Sequence, residues 1–224
     1  MAKINIVGVG PGSPDYVTPL AKKTVQQADL VIGAQRSLNL FKDEIKGETV
    51  ALTAKNLKTT LKLAAELTQT NKNVVLLSTG DPGFSGLLHT VLENELFEAA
   101  DIYVIPGISS IQVCAAKAAI SWDNALLITF HEGNVSDEEK QVLDLAVSSV
   151  EDVILLPYSK AFAPKDIASY LIDGGVDKET PVMVCENLTL PEEKITSSTL
   201  AEVSKQTFRS LCVMVIKSKR AVDC

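Results

Sequence analysis

The chain has 224 residues, of which 46% are hydrophobic and 22% charged, and its formal net charge is −7. This length suits one large domain or two compact halves, each with a core of its own. The negative charge argues against a nucleic-acid partner, whose phosphates would be repelled. The apolar runs are too short to cross a bilayer and no signal-peptide pattern precedes them, so we expect a soluble cytoplasmic protein without a membrane partner.

Short aliphatic runs alternate with stretches of helical period along the whole chain. The runs cover residues 4–7, 30–32, 74–77, 102–105, 126–130, 153–156, 182–185 and 211–216. They are continuous rather than alternating, which is typical of strands that are buried on both faces. Thr18 before Pro19 predicts a helix start, and Ser136 before an acidic run predicts another.

The helix-strand alternation changes character near residue 118. Before it, strands and helices follow one another regularly, which predicts a parallel sheet; after it, strands follow one another through loops such as "ENLTLPEEKITSST". We therefore predict an α/β protein of two domains, residues 1–118 with a parallel sheet and residues 119–224 with a mixed sheet.

The glycine-rich loop after the first strand, "VGVGPGSPDYVT", departs from a dinucleotide-binding loop. Pro11 has no N–H to offer a phosphate, and the helix starts only after Thr18 instead of inside the loop. No acidic residue ends the second strand at Gly33. The pattern therefore disfavours a nucleotide-binding module or an NAD-dependent oxidoreductase, which we keep as the alternatives from another class.

Three predicted strands of the first half end in loops rich in glycine and proline. They are "GVGPG" at 8–12, "STGDPGFSG" at 78–86 and "IPGISS" at 105–110. Carboxyl ends of parallel strands share one edge of a sheet, where ligands bind. Loops with so little side-chain bulk let a ligand approach the backbone closely. By itself, Asp81 before Pro82 is more typical of a turn cap.

The scattered Cys114, Cys185, Cys212 and Cys224 form no C-x-x-C pair, and the two histidines form no metal-binding pattern. We therefore expect reduced thiols, most of them buried, and no metal site.

These loops, together with "ADLVIG", resemble the tetrapyrrole (corrin/porphyrin) methylases, from the first strand to the last. The resemblance implies the two-domain fold of class III methyltransferases, with S-adenosylmethionine in a cleft between the domains. The segments "GAQRSL", "TFHEGN" and "ENLTLPEEKIT" are most similar to the branch that methylates C5 of cobalt-precorrin-7 in cobalamin synthesis. That branch commonly has His-Gly-Arg where this chain has His131-Glu132-Gly133, so one basic residue is missing.

The resemblance also implies site residues. Those expected to contact S-adenosylmethionine are Val9, Gly80, Asp81, Gly83, Phe84, Ser109, Ser110, Ile111, Leu156, Asn187, Leu188 and Met214. Gly10, Pro11 and Gly12 are expected to line the substrate trough. His131 is expected near the reacting edge, either as a substrate ligand or proton acceptor or as a structural histidine.

The same resemblance implies a corrinoid (cobalt-precorrin) substrate, a homodimer and a separate decarboxylating C15-methyltransferase as a partner. The alternative within the family is another precorrin methylase or a diphthine synthase.

Overall fold

The computed structural model describes residues 4–97, 102–130, 135–158 and 160–218. The chain divides into two compact units, Met1–Ser109 (unit 1) and Ser110–Cys224 (unit 2). This division precedes the boundary predicted after residue 118 by one helix. The helix, at 110–118, belongs to unit 2 because it packs against two strands of that unit.

Unit 1 contains a five-stranded sheet. Its strands are β1 (Ile4–Gly8), β2 (Leu30–Gly33), β3 (Glu48–Ala51), β4 (Val74–Ser78) and β5 (Ile102–Ile105). Its helices are α1 (Pro19–Gln26), α2 (Gln35–Asn39), α3 (Leu57–Gln69) and α4 (Leu87–Leu92). The strands lie in the order β3-β2-β4-β1-β5, and every pair is parallel, as predicted.

Both faces of this sheet are buried. Val7 and Val75 pack with α1 and α2 on one face, whereas Ile6 and Leu76 pack with α3 and α4 on the other. Alternate residues of a strand point to opposite faces, so two apolar layers require an unbroken aliphatic run. Each such side chain contributes about 1.5–3 kcal/mol when fully buried. This explains why the interior strands carry no polar alternation.

The connections of unit 1 diverge between β2 and β4. From β2 the chain leads outward to β3, and from β4 it passes over β1 in the opposite direction to reach β5. Neighbouring strands with diverging connections leave a crevice at their carboxyl ends, and open α/β sheets bind ligands there. The fold therefore places the segments after Gly8 and Ser78 at the ligand-binding edge of the sheet.

Unit 2 contains a mixed five-stranded sheet. Its strands are β6 (Leu126–Thr129), β7 (Val153–Leu156), β8 (Pro181–Glu186), β9 (Lys194–Thr199) and β10 (Cys212–Ile216). Its helices are α5 (Ser110–Ala118), α6 (Asp137–Ser148), α7 (Pro164–Asp173) and α8 (Leu200–Val203). The order is β6-β7-β10-β8-β9, with β6 and β7 parallel and the other pairs antiparallel. The mixed sheet is as predicted.

Both predicted helix starts are confirmed. Thr18 Oγ1 accepts a hydrogen bond from the Ala21 N–H at 3.2 Å, and Pro19 occupies the first turn of α1. At α6, Ser136 and Glu139 form a reciprocal capping box. Such caps contribute about 1 kcal/mol each, because they satisfy N–H groups that have no partner inside the helix. In the described part of the chain, no helix combines the length and apolar character that a membrane crossing needs.

Candidate functional site in unit 1 and the strained loop of unit 2

Three loops leave the carboxyl edge of the sheet in unit 1 side by side. The first loop (8–12) follows β1, the second loop (78–86) follows β4 and the third loop (105–110) follows β5. β1 lies between β4 and β5, and Gly8 is in register with Ser78. The prediction that the three loops share one edge is therefore confirmed.

Backbone hydrogen bonds join the first loop to the second. The Val9 N–H donates to the Ser78 carbonyl at 3.0 Å, and the Gly10 N–H donates to the Gly80 carbonyl at 3.4 Å. In return the Gly80 N–H donates to the Gly10 carbonyl at 2.9 Å. These donors are consumed within the protein and Pro11 has none, so the first loop does not offer the cluster of free N–H groups that holds a pyrophosphate.

The loops approach so closely that two positions require glycine. A Cβ built on Gly8 would lie 2.8 Å from the Gly80 carbonyl oxygen, and one built on Gly107 would lie 2.7 Å from Gly8 Cα. The colliding atoms belong to the backbone, so a side chain there could not be accommodated by a rotamer change. We call Gly8, Gly80 and Gly107 the glycine junction.

Asp81 connects the second loop with the third. Its Oδ1 accepts the Gly83 N–H at 2.8 Å, and its Oδ2 accepts the Gly107 N–H at 3.0 Å. The first bond is the turn cap predicted from the sequence, whereas the second is a long-range bond that the sequence does not indicate. A charged acceptor gives each bond about 1.5–3 kcal/mol. The predicted contact of Asp81 with a methyl donor remains a prediction.

The residues of the three loops and of the start of α5 that are expected to contact the donor differ in exposure. Val9, Gly80, Ser109 and Ile111 are buried, Phe84 is half-buried, and Gly83 is exposed. A Cβ on Gly80 would meet nothing closer than Ser109 Cα at 3.7 Å. A side chain at Gly80 would therefore meet no atom at clashing distance, although its φ of +69° favours glycine.

Arg36 brings a positive charge to the second loop. Its Nη2 donates to Thr79 Oγ1 at 3.2 Å, and both side chains are exposed. Within the residues that the structure describes, the ion pairs do not include Arg36. The guanidinium therefore keeps donors for a carboxylate from outside the protein.

The loop after β8, residues 187–193, holds two of the expected donor contacts of unit 2, Asn187 and Leu188. Asn187 and Thr189 have φ values of +49° and +68°, a conformation that a β-branched threonine rarely adopts. The Thr189 N–H donates to Glu193 Oε2 at 2.8 Å, and Lys117 Nζ donates to Glu193 Oε1 at 2.7 Å. Strain maintained in this way is typical of functional loops. No pattern in the sequence indicates a role for Thr189, Glu193 or Lys117.

The remaining expected contacts occupy different settings. Leu156 ends β7 and is half-buried, while Leu188 is buried in the 187–193 loop. Met214 is fully buried in the middle of β10, opposite Leu155 and Val184, within the core of unit 2. His131 lies outside the described residues, as do 132–134. The roles expected for all four residues remain predictions.

Replacing Glu193 by Gln should loosen the 187–193 loop in a pH-dependent way. The bond from Lys117, and then the Thr189 N–H, hold the pKa of Glu193 below its usual range. A lowered pKa stabilises the fold above the pKa of the unfolded state, about 4.3, and this stability is lost as the pH falls through the folded pKa. We expect the free energy of unfolding of the wild type to exceed that of Glu193→Gln by less than about 1 kcal/mol near neutral pH, because the pair of Lys117 and Glu193 is partly exposed.

Urea unfolding of both proteins between about pH 7 and about pH 3 measures this difference, which should shrink as the pH falls. The matched control is Glu202→Gln, which breaks the exposed pair with Lys205 (3.1 Å) without touching a strained loop. If Glu193→Gln and Glu202→Gln behave alike at every pH, the carboxylate of Glu193 does not hold the loop.

The sequence pattern of one protein family matches the part of the chain that contains these loops. The family described as Tetrapyrrole (Corrin/Porphyrin) Methylases matches residues 3–204, which include all three loops and the 187–193 loop. The chain belongs to the tetrapyrrole methylase family.

Two relatives from Methanocaldococcus jannaschii are similar over most of their length. A probable cobalt-precorrin-7 C(5)-methyltransferase is 42% identical, over 98% of this chain and 100% of its own. A cobalt-precorrin-4 C(11)-methyltransferase is 30% identical, over 91% of this chain and 81% of its own. Among solved structures, a cobalt precorrin-4 methyltransferase superposes with a TM-score of 0.81 at 26% identity, covering 99% of this chain and 96% of its own.

Membership of this family confirms the predicted fold class, an α/β methyltransferase with a parallel and a mixed sheet. The alternative hypotheses of an oxidoreductase and of a general nucleotide-binding module are overturned, because the relatives that match most of this chain are named as methyltransferases. Within the described residues, no three His, Cys, Asp or Glu side chains are grouped so that they could hold a metal ion.

Proposed function

We propose that this chain transfers a methyl group from S-adenosylmethionine to C5 of cobalt-precorrin-7. The observation that carries the proposal is the 42% identity, over 98% of this chain and 100% of the other, to the relative named for C5 methylation. The relative named for C11 methylation is 30% identical over a smaller share of both chains. The difference favours C5 over C11 as the methylated carbon.

The methyl donor fits the backbone surface of the three loops. A sulfonium with an amino-acid tail needs carbonyl oxygens, a few polar groups and an apolar surface, and it needs no phosphate-binding N–H cluster. Val9 and Gly10 of the first loop already donate their N–H groups to the second loop, and a Cβ on Gly80 would meet only Ser109, at 3.7 Å. The residues proposed to hold the donor are Val9, Gly80, Asp81, Gly83, Phe84, Ser109, Ser110, Ile111, Leu156, Asn187, Leu188 and Met214.

When bound, the donor would supply an electrophilic methyl group: an electron-rich ring carbon would displace it from sulfur in line, and the proton on that carbon would pass to solvent. The protein's part is alignment and exclusion of water, which can contribute several kcal/mol without a nucleophilic side chain. The bonds among the loops fix their backbones before any ligand binds. His131 is proposed to position the substrate, with Gly10, Pro11 and Gly12 lining its trough.

Arg36 is proposed to bind a carboxylate of the substrate. A precorrin carries many carboxylates, while the chain carries a net charge of −7, so local cations have to offset the repulsion. The bond to Thr79 orients the guanidinium beside the second loop and leaves further donors for a bidentate carboxylate. Arg36 thereby offers the substrate a positive charge. In the related enzymes, the arginine of the His-Gly-Arg segment, which this chain lacks, could offer such a charge.

Replacing Arg36 by Gln should raise the KM for the precorrin about 10-fold, the scale of one lost charge-assisted bond. The affinity for S-adenosylhomocysteine should stay within about 2-fold, because the donor does not need this cation. Steady-state kinetics and calorimetry measure the two effects separately. Lys62→Gln removes an exposed charge on α3 as the control. If the affinity for S-adenosylhomocysteine falls as much as the affinity for the precorrin, Arg36 contacts the donor instead of the substrate.

The deciding experiment is turnover. Cobalt-precorrin-7 is incubated with the chain and with S-adenosylmethionine labelled in the methyl group, and NMR locates the label. Label at C5 is the expected result, whereas label at another carbon, or turnover of a different precorrin, would reassign the enzyme within its family. Calorimetry should show binding of S-adenosylhomocysteine but not of NAD.

We further propose a cytoplasmic homodimer, which light scattering tests at the assay concentration. A separate decarboxylating C15-methyltransferase is the proposed partner for the next modification of the same ring. Pull-down with that enzyme, with the substrate present and absent, tests the association.

A further inference from the structure

Two buried thiols in unit 2 lie in contact. Cys114 Sγ and Cys185 Sγ are 3.5 Å apart, and both residues are fully buried. Cys114 is on α5 and Cys185 is on β8, so the contact joins elements that are far apart in sequence. Neither residue is among those proposed for the donor or the substrate, and methyl transfer gives the pair no task.

The positions of both thiols are fixed by their elements. Cys185 is paired with Val213 of β10 and with Ile195 of β9, so the sheet holds it on both sides. α5 packs against β7 and β10 and carries Cys114 across this face. These elements therefore place the two sulfurs 3.5 Å apart, as a disulfide precursor requires.

The environment makes the two sulfurs unequal. The Cys114 S–H donates to Cys185 Sγ and lowers the pKa of Cys185, while the same bond and burial raise the pKa of Cys114. Burial raises the pKa of Cys212, on β10, to about 12. Thiolate character decides which cysteine reacts first, and the lowered pKa favours Cys185 over Cys114 and Cys212 as the attacking thiol.

We propose that Cys114 and Cys185 are an oxidative modification site, which a peroxide converts into an intramolecular disulfide. The Cys185 thiolate attacks one peroxide oxygen, the O–O bond breaks, and a sulfenic acid forms while the other oxygen leaves as water. Cys114 sulfur then attacks Cys185 Sγ, and the hydroxyl leaves as water with the Cys114 proton. Two thiols are oxidised, and one peroxide is reduced to two waters. Hydrogen peroxide is small and neutral, so brief local opening admits it.

The disulfide would reach segments that carry proposed donor contacts. Only Glu186 separates Cys185 from Asn187, and Cys114 lies in the helix that begins with Ser110 and Ile111. Shortening 3.5 Å to a bond of about 2.0 Å shifts α5 or the end of β8. The strained 187–193 loop follows directly, so oxidation should weaken donor binding. This second part rests on the proposed function, whereas the formation of the disulfide does not.

The test treats the reduced full-length chain with hydrogen peroxide, blocks free thiols and maps the peptides by mass spectrometry. We expect a linked peptide pair that contains Cys114 and Cys185, and an affinity for S-adenosylhomocysteine about 10-fold weaker, within the usual range of coupled sites. Dithiothreitol should break the link between Cys114 and Cys185 and restore the affinity for S-adenosylhomocysteine. Cys114→Ser should keep its affinity after peroxide treatment, and the control Cys212→Ser should still form the linked pair.

The outcomes separate the two claims. Free Cys114 and Cys185 after oxidation elsewhere in the chain, or either one linked to Cys212 or Cys224, would overturn the modification site. A linked pair with unchanged affinity would overturn the effect on the donor. If the reduced chain binds no S-adenosylhomocysteine, the proposed function fails, and the peptide map still decides the modification site. Mapping of the wild type suffices even where a serine variant does not fold.

Discussion

Replacing Gly107 by Val should abolish binding of S-adenosylhomocysteine and destabilise the chain by about 3 kcal/mol, the upper range for an overpacked site. The added Cβ would lie 2.7 Å from Gly8 Cα and would also collide with the Gly80 carbonyl. Backbone atoms on two other loops would have to move. The bond from the Gly107 N–H to Asp81 would be strained at the same time.

Urea unfolding measures the loss of stability, and calorimetry measures the loss of affinity, which we expect to exceed about 100-fold. Gly174→Val is the matched control, because a Cβ there meets nothing closer than the Tyr170 carbonyl at 3.4 Å. It should change stability by less than about 0.5 kcal/mol, as exposed substitutions usually do. Normal affinity in Gly107→Val would mean that the glycine junction does not support the donor site.

Interior strands of both sheets were predictable from the sequence, and two edge strands were not. β1 and β4 are mostly aliphatic, apart from Asn5 and the terminal Ser78, because both their faces are buried. β3 and β9 lie at sheet edges and are largely exposed, so their sequences "ETVA" and "KITSST" are polar. An exposed edge imposes no aliphatic run, and their pairing depends on the neighbouring strand.

Local chemistry was predictable at the helix starts and only in part at the loops. The bonds of Thr18 and Ser136 span three residues, so their partners can be read from adjacent positions. The same holds for the turn cap from Asp81 to Gly83. By contrast, the bond from Gly107 to Asp81 joins two strand ends, and the bond from Lys117 to Glu193 spans much of unit 2. Such pairs depend on topology, which no local pattern encodes.

The shared position of the three loops was predictable, because parallel strands all end at the same edge of the sheet. The ligand chemistry of the loops was not predictable, because it depends on which backbone N–H groups remain free of internal hydrogen bonds. The first loop resembles a phosphate cradle in its glycines, but Val9 and Gly10 donate to the second loop. Proline at position 11 is compatible with the donor that we propose, because that donor needs no phosphate-binding N–H. A glycine-rich loop can therefore be a packing device that brings backbones together around a neutral or cationic ligand.

Replacing Gly83 by Arg should abolish binding of S-adenosylhomocysteine while leaving the fold intact. Gly83 is exposed, and its added Cβ would meet only Asp81 Oδ1 at 3.2 Å and Leu88 Cδ2 at 3.9 Å, both on side chains that can shift. A long charged side chain would then cover the backbone that the donor is proposed to approach. We expect a loss of affinity above about 100-fold with stability unchanged within about 1 kcal/mol. Calorimetry and urea unfolding measure both, with Gly174→Arg as the control for an added arginine on an exposed glycine. Normal affinity in a folded Gly83→Arg protein would place the donor away from the second loop.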